Sequence, residues 1–302
     1  MKTFLERTLH RLRIAWAVFR AHPAMPATAL WRIYEAEHAL DLLGGSGRGL
    51  DLGCGDGSFS AVLMPTAPEL AWTGIELDPY DALLAEKRGL YDKVHLCPAE
   101  KMPFEDDAFT VVFSNCVIEH VHDLDAVLAQ VARVLQPGGR FLFSVPRECF
   151  YENLVIPRFL AGIGLSKLAT RYCRSCDQRL EIVSLLSPQE WQERLALHGL
   201  TVESNLPYAT RWTTGWWDLL AAASGGLTYL VSGGPPRRTQ QSSGVLERDR
   251  PWLGSLTFFL FLPIIVLTII QKTTEPCAGQ FIEARLSQPA QRPAMAEGEN
   301  DP

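Results

Sequence analysis

The stretch "LDLGCGDGSFS", Leu50 to Ser60, sets Gly53, Gly55 and Gly57 at alternate positions directly behind an apolar run that reads as the end of a strand. A strand that enters a tight glycine-rich turn and leaves as a helix brings backbone N–H groups and a helix N-terminus close to whatever binds there. The expected ligand is nucleotide-like. Such a ligand also needs an acceptor for its ribose hydroxyls on the adjoining strand, and Glu76, closing the run "TGIE", is placed to supply one. Without Glu76, a glycine-rich turn with no ligand is a fair competing reading.

Working outward, "RGLDLG" (48–53), "LAWTGIE" (70–76), "KVHLC" (93–97), "TVVFSN" (110–115) and "RFLFSV" (140–145) are short runs rich in β-formers. Their spacing requires crossovers rather than hairpins, which predicts a doubly wound, mostly parallel α/β sheet. Asp123 is placed to cap a helix whose buried stripe is Leu124, Val127, Leu128, Val131, Val134 and Leu135, and Pro137-Gly138-Gly139 stops it. Ser187 opens a capping box with Pro188 at the first helical position, and that helix runs to about His198 or Gly199. The strands "LTVESNL" (200–206) and "GQFIEARL" (279–286) complete seven.

The flanks are of different character. Residues 1–22 place Phe4, Leu5, Leu9, Leu12, Trp16 and Phe19 at helical spacing, with Lys2, Arg7, Arg11, Arg13 and Arg20 supplying positive charge. This basic amphipathic helix fits either a helix packed on the domain or one lying on a membrane surface. Trp216–Val231 is an apolar stretch interrupted by Asp218, Gly225 and Gly226, whereas Trp252–Ile270 runs 19 residues without a charge. As a helix the latter covers roughly 28 Å, enough to span a bilayer, with a kink expected at Pro263. The predicted organisation is a basic helical region (1–40), the ligand-binding domain (41–206), a hydrophobic helical insertion (207–276), the closing strand (277–286) and a polar tail (287–302), expected to be disordered.

Across 302 residues, hydrophobic residues make up 47% and charged residues 21%, a globular composition, and the net charge of −6 gives no global attraction to nucleic acid. Seven scattered cysteines fit a reducing cytoplasm; Cys173 and Cys176 form a lone "CRSC" with no second pair at metal spacing, so no metal site is expected.

Asp51-Leu52-Gly53-Cys54-Gly55-Asp56-Gly57 resembles the first motif of the class I S-adenosylmethionine-dependent methyltransferases, in particular their small-molecule branch labelled type 11. "AEKMPFEDDAF" (99–109), "VIEHVHDLDAVLAQVARVLQPGG" (117–139) and "FLFSVP" (141–146) match the same branch in order and spacing, so the resemblance covers about 45–146. It implies the Rossmann-like methyltransferase fold, S-adenosylmethionine as cofactor and methyl transfer as the activity. By position, it also implies that Asp51 holds the methionine amino group, that the turn of Gly53, Cys54, Gly55 and Gly57 passes under the cofactor, and that Glu76 holds the ribose. Leu77 would lie against the adenine, the backbone near Ala99 would meet its edge, and Asn115 would face the sulfonium side. Two departures stand out: Pro98 occupies the place of an aspartate that receives the adenine amino group, with Glu100 as a substitute, and Thr110 replaces an aspartate before the fourth strand.

A sulfonium methyl is already activated, so transfer needs alignment and, for weak nucleophiles, a base. His120 is the candidate base, since histidine titrates near neutrality and this one follows the fourth strand; the competing reading is that its imidazole only closes the pocket or caps a helix. Glu119 and His122 are weaker candidates, and Arg147 is positioned to meet an anionic substrate.

If 279–286 pairs beside 200–206, the insertion crosses the membrane an even number of times. Exporting the linker 233–251 with Arg237, Arg238, Arg248 and Arg250 would oppose the positive-inside tendency. The reading preferred is therefore an interfacial or re-entrant helical hairpin that, with the basic N-terminal helix, seats the protein on the cytoplasmic face of the membrane. A single crossing, and a buried helix pair on a plainly cytoplasmic protein, are the alternatives. A membrane-seated pocket suggests a small-molecule or lipid-linked acceptor such as an isoprenoid. Two rival functions are an NAD(P)-dependent Rossmann oxidoreductase, against which Ser58 stands where G-x-G-x-x-G needs its third glycine, and a non-catalytic cofactor-binding membrane partner.

Overall fold

In the computed structural model, which describes residues 4–23, 25–226, 251–271 and 276–287, the expected strands assemble into one sheet. In chain order they are β1 (Gly47–Leu52), β2 (Leu70–Glu76), β3 (Lys93–Leu96), β4 (Phe109–Asn115), β5 (Leu135–Pro146), β6 (Leu200–Thr210) and β7 (Cys277–Leu286). The spatial order is β3-β2-β1-β4-β5-β7-β6, parallel except for β7, which runs antiparallel to both β5 and β6. The sheet order reverses between β1 and β4, so their C-terminal ends open a crevice of the kind that takes ligands in such sheets.

Helices cover both faces. On one lie α1 (Phe4–Ala21) and α2 (Pro26–Leu42), with the short α3 (Ser60–Leu63). Between β2 and β3 runs α4 (Pro79–Lys87), capped by Asp78, whose side chain accepts from the N–H groups of Tyr80 and Asp81. On the other face, α5 (Leu124–Val134) buries Leu124, Val127, Leu128, Val131 and Val134, and Asp123 accepts from Ala126 N. Next come α6 (Phe150–Asn153), α7 (Val155–Gly162), α8 (Ser166–Leu180) and α9 (Pro188–Leu197); Ser187 and Glu190 form the expected capping box of α9. Two last helices, α10 (Arg211–Ala221) and α11 (Pro251–Ile269), precede β7.

Several boundaries differ from expectation. Leu135 leaves the helical stripe and starts β5, because the left-handed Gly138 lets the chain bulge between the pairs Phe109–Leu135 and Val111–Arg140. Residues 207–210, placed in the insertion from sequence, continue β6 and pair with β7; Pro207 is tolerated because β6 is an edge strand. The interrupting Asp218 is buried in α10, where it accepts from Ile156 N at 2.8 Å and from the Tyr172 hydroxyl, tying α10 to α7 and α8. Thus α10 is a packed helix of the domain.

Helices α1 and α11 pack antiparallel. Gly254 lies where an added Cβ would come within 2.6 Å of Phe19 O, and at the other end Arg11 donates to Ile269 O at 2.7 Å. Trp16 meets the Phe258 ring edge-on at 5.2 Å. Arg11 also pairs with Glu37 at 2.7 Å, so this member of the basic set faces inward and steadies the C-terminal end of α11. The stretch Trp252–Ile269 has mean hydropathy 2.2 and is long and apolar enough to cross a membrane, yet 28% of it is buried against the protein. With β7 paired inside the sheet, a single crossing that leaves 279–286 on the far side is ruled out. Lys2, residues 227–231, the arginines of the linker and the tail 288–302 lie outside the described residues.

Candidate active site

The glycines are required first by the protein itself. Gly53 and Gly57 are left-handed, with φ of +74° and +72°; a Cβ on Gly53 would sit 2.5 Å from Val117 Cγ2, and one on Gly57 3.0 Å from Arg88 Cδ of the segment after α4. The turn's N–H groups are also committed. Gly53 N and Cys54 N donate to Ile75 O at 2.9 and 3.0 Å, Gly55 N to Glu76 Oε2 at 2.7 Å, Gly57 N to Cys54 O at 3.1 Å and Ser58 N to Asp56 Oδ1 at 3.0 Å. The helix that follows, α3, is only four residues long and sums few peptide dipoles. Five of the turn's N–H groups are thus used within the protein. A phosphate cradle leaves such donors free for the anion, whereas here these five are bonded to the protein's own acceptors.

Acids, rather than N–H donors, face the cleft. Asp51, at the end of β1 and 2% exposed, accepts through Oδ2 from Ser60 Oγ at 2.5 Å and Tyr91 OH at 2.7 Å. Burial pushes its carboxyl up to about 6, against the opposing pull of these two hydroxyls. Glu76 ends β2 and joins two loops: besides Gly55 N, its Oε1 accepts from Leu77 N at 2.9 Å and Asp78 N at 3.0 Å. Cys54 is buried beside Gly74, and burial with the nearby Asp51 and Glu76 charges pushes its thiol up, so it is not a nucleophile.

Asp51, Gly53, Cys54, Gly55, Glu76, Leu77, Ala99, Glu100, Asn115 and His120 all line one cleft of about 970 Å³. Gly57 supports it from behind, and Pro98 lines it where an aspartate was expected. Arg147 stays out of the lining and pairs with Glu148 at 3.5 Å. Thr110 has a structural task, donating towards Ser46 O and Arg48 O at 3.1 Å each, at the start of β1. Among the described residues, no group of three or more His, Cys, Asp or Glu is arranged to hold a metal.

Sequence reasoning missed the far wall. Glu35 of α2 is wholly buried at the C-terminal ends of β4 and β5. Its Oε1 accepts from Trp31 Nε1 (2.8 Å), Cys116 Sγ (2.9 Å) and Tyr208 OH (2.9 Å), and its Oε2 from Arg32 Nη1 (2.7 Å) and Asn115 Nδ2 (3.0 Å). Burial is the strongest single influence on the Arg32 guanidinium and lowers it, but Glu35, Cys116 and Tyr208 together raise it above its ordinary value. Asn115 is thus held in place by α2 and by Ser144, whose Oγ donates to Asn115 Oδ1 at 3.0 Å. Around this hub Trp31, Phe59, Phe150 and Trp217 give the cleft an aromatic wall, with Trp31 edge-on to Phe150 at 5.9 Å. The one signal in the sequence was a glutamate inside the apolar run of α2.

His120 follows β4 in the short turn Ile118–His120, with its side chain 38% exposed. Its Nδ1 donates to Glu181 O at 3.0 Å, and its Nε2 lies 3.7 Å from Glu119 Oε1. His122 also lines the cleft from an exposed position.

Residues 50–143 match the family described as "Methyltransferase domain". They form a class I S-adenosylmethionine-dependent methyltransferase domain. A 27-O-demethylrifamycin SV methyltransferase of Amycolatopsis mediterranei is 32% identical over 161 residues, 51% of this chain and 54% of that protein. A sterol 4-C-methyltransferase of Caenorhabditis elegans is 32% identical over 99 residues, 31% of this chain and 29% of that one. The chain therefore spans about half, or less, of the curated relatives it matches. Among solved structures, the [4+2]-cyclase SpnF superposes with a TM-score of 0.52 at 15% identity, covering 84% of this chain and 81% of that one. At that identity the likeness is one of fold, and a fold hosts more than one chemistry. The matched residues run from β1 into β5 of the seven-stranded sheet.

Proposed function

We propose that the protein transfers a methyl group from S-adenosylmethionine to a small, apolar, lipid-like acceptor at the cytoplasmic face of a membrane. The observation that carries the cofactor assignment is the donor set of the cleft. Five of its turn N–H groups bond internally while Asp51 and Glu76 line the cavity, which suits a ligand bearing an ammonium and a ribose and no phosphate. A nicotinamide dinucleotide, with its pyrophosphate, fits that set poorly.

When bound, the cofactor supplies an activated sulfonium methyl. Asp51 is proposed to hold the ammonium, Glu76 the ribose hydroxyls, and Leu77, Ala99 and Glu100 the adenine, with Gly53, Cys54, Gly55 and Gly57 as the floor. Asn115, fixed by Glu35 and Ser144, lines the side towards the acceptor. His120, with Nδ1–H given to Glu181 O, keeps Nε2 to take the acceptor's proton. The aromatic wall of Trp31, Phe59, Phe150 and Trp217 supports an apolar acceptor. Relatives named for a sterol and for demethylrifamycin SV fit the same class.

Membrane placement is supported by the α1–α11 pair. Phe4 (62%), Leu5 (65%), Trp252 (64%), Phe259 (62%) and Leu260 (70%) are exposed, and Arg7, Arg13 and Arg20 stand beside them in solvent, as suits an anionic leaflet.

Calorimetric titration tests the cofactor: S-adenosylhomocysteine is expected to bind, and binding of a nicotinamide dinucleotide instead overturns the reading. Incubation with methyl-labelled cofactor and a membrane lipid extract tests the acceptor, with label expected in the organic phase; label confined to soluble metabolites or protein defeats the lipid class. The elevated Asp51 carboxyl adds a pH dependence. The free protein holds a proton on Asp51 below about pH 6 and must release it to receive the ammonium, so affinity for both cofactor forms is expected to fall towards roughly tenfold per pH unit below that point. Affinity unchanged between roughly pH 5 and 7.5 would remove Asp51 from the ammonium site.

A further inference from the structure

Glu119 is a buried charged group of the cleft that the proposed chemistry leaves unused. It follows β4 by four residues, its side chain is 4% exposed, and it lines the same cavity as Asp51, Glu76 and Asn115. Its main chain is pinned: Glu119 O accepts from Val183 N at 2.8 Å and Ser184 N at 3.1 Å, in the segment between α8 and α9. One carboxylate oxygen, Oε1, lies 3.7 Å from His120 Nε2. The other, Oε2, is buried and has no hydrogen-bond partner among the described residues.

Leaving a carboxylate oxygen dry and unpartnered costs folding energy that a leucine or methionine in its place would not. The charges around it are committed elsewhere. From α2, Arg32 gives Nη1 to Glu35, and Glu35 is filled by its own donors. From α8, Arg179 spends Nη2 on Cys176 Sγ and Nε on Ser175 O. Cys116 at the end of β4 donates to Glu35, as does Tyr208 of β6, and His120 stands 3.7 Å from the other carboxylate oxygen.

We propose that Glu119 is the counter-charge for the sulfonium of the cofactor, its carboxyl buried in the cleft wall and acting through space on a positive charge that arrives only with the ligand. The inference rests on the cofactor assignment above and deepens it. Burial raises the Glu119 carboxyl above its ordinary range, opposed by His120, so the empty site favours the protonated form. A sulfonium reverses that balance and expels the proton; the neutral thioether left after transfer does not. Glu119 therefore favours substrate cofactor over product and helps the product leave.

The test compares S-adenosylmethionine with S-adenosylhomocysteine by calorimetry in two buffers of different protonation enthalpy. Both ligands carry the same ammonium, so the Asp51 titration cancels in their affinity ratio. In wild type the ratio is expected to favour the sulfonium form increasingly as pH rises from roughly 5 to 8, with extra proton release for that form alone. In Glu119→Gln the sulfonium form is expected to weaken roughly tenfold while homocysteine-form affinity stays unchanged, which also certifies the fold. A flat ratio in wild type overturns the proposal without recourse to any variant. So does a Gln variant whose ratio is intact, or one that loses both ligands equally. Failure of wild type to bind either ligand is a different result and sinks the cofactor assignment itself.

Discussion

Replacing Glu35 with alanine is expected to lower the unfolding free energy by about 3–5 kcal/mol, the range for removing one partner of a buried charge pair. The loss goes beyond one contact. The Arg32 guanidinium would be left in a buried position with its counter-charge gone, and the Trp31 indole, the Tyr208 hydroxyl, Cys116 and the Asn115 amide would each lose an acceptor. Water reaches such a site poorly, so each orphaned donor carries a desolvation cost of its own. Glu35→Gln is expected to cost less, about 2 kcal/mol, because the amide preserves shape but offers one acceptor oxygen where two are used. Urea unfolding read at constant slope measures both; a loss below about 1 kcal/mol in the alanine variant would show that the hub is dispensable. The same substitution should loosen the aromatic wall, since Glu35 fastens α2, and with it Trp31, to the ends of β4 and to β6.

This hub also marks the limit of what the sequence discloses. Strands β1, β2, β4 and β5 are legible because each is an apolar run closed by a glycine, an acid, an asparagine or a proline, and the cleft-facing ends follow from that punctuation. The caps at Asp123 and Ser187 are local chemistry and fall where expected. Glu35 is different: its partners lie up to 173 residues away, and no local pattern distinguishes it from a solvated glutamate on a helix. Arg11 is misplaced for the same reason, since its charge meets Glu37 and the end of α11 only once the helices pack. The turn is legible as a backbone conformation, but the partners of its N–H groups are not. Spacing fixes where glycines permit a left-handed bend, whereas the fate of each N–H depends on Ile75 and Glu76 arriving from the neighbouring strand. Between Glu119 and His120 intrinsic titration favours the histidine, and only burial directs attention to the glutamate.

Glu76→Ala is expected to weaken S-adenosylhomocysteine binding by about 100-fold, which corresponds to about 2.7 kcal/mol, the scale of one to two hydrogen bonds to a charged acceptor. A carboxylate has roughly four acceptor positions, and the N–H groups of Gly55, Leu77 and Asp78 use three of them. A ribose must therefore share Glu76 with the protein's own backbone. The alanine variant then loses two things at once: the acceptor for the sugar, and the strut that holds the glycine turn to the β2–α4 loop. These separate experimentally. Glu76→Gln keeps one acceptor oxygen and most of the volume, but turns an amide towards N–H groups that need acceptors. If the strut dominates, Gln is as damaging as Ala and backbone hydrogen exchange rises around Gly55 and Asp78 even without ligand. If the sugar contact dominates, exchange is unchanged in the free protein and only affinity falls. Undiminished affinity in the alanine variant would defeat both accounts, because no other acid ends a strand beside Gly55 among the described residues at bonding distance from its N–H.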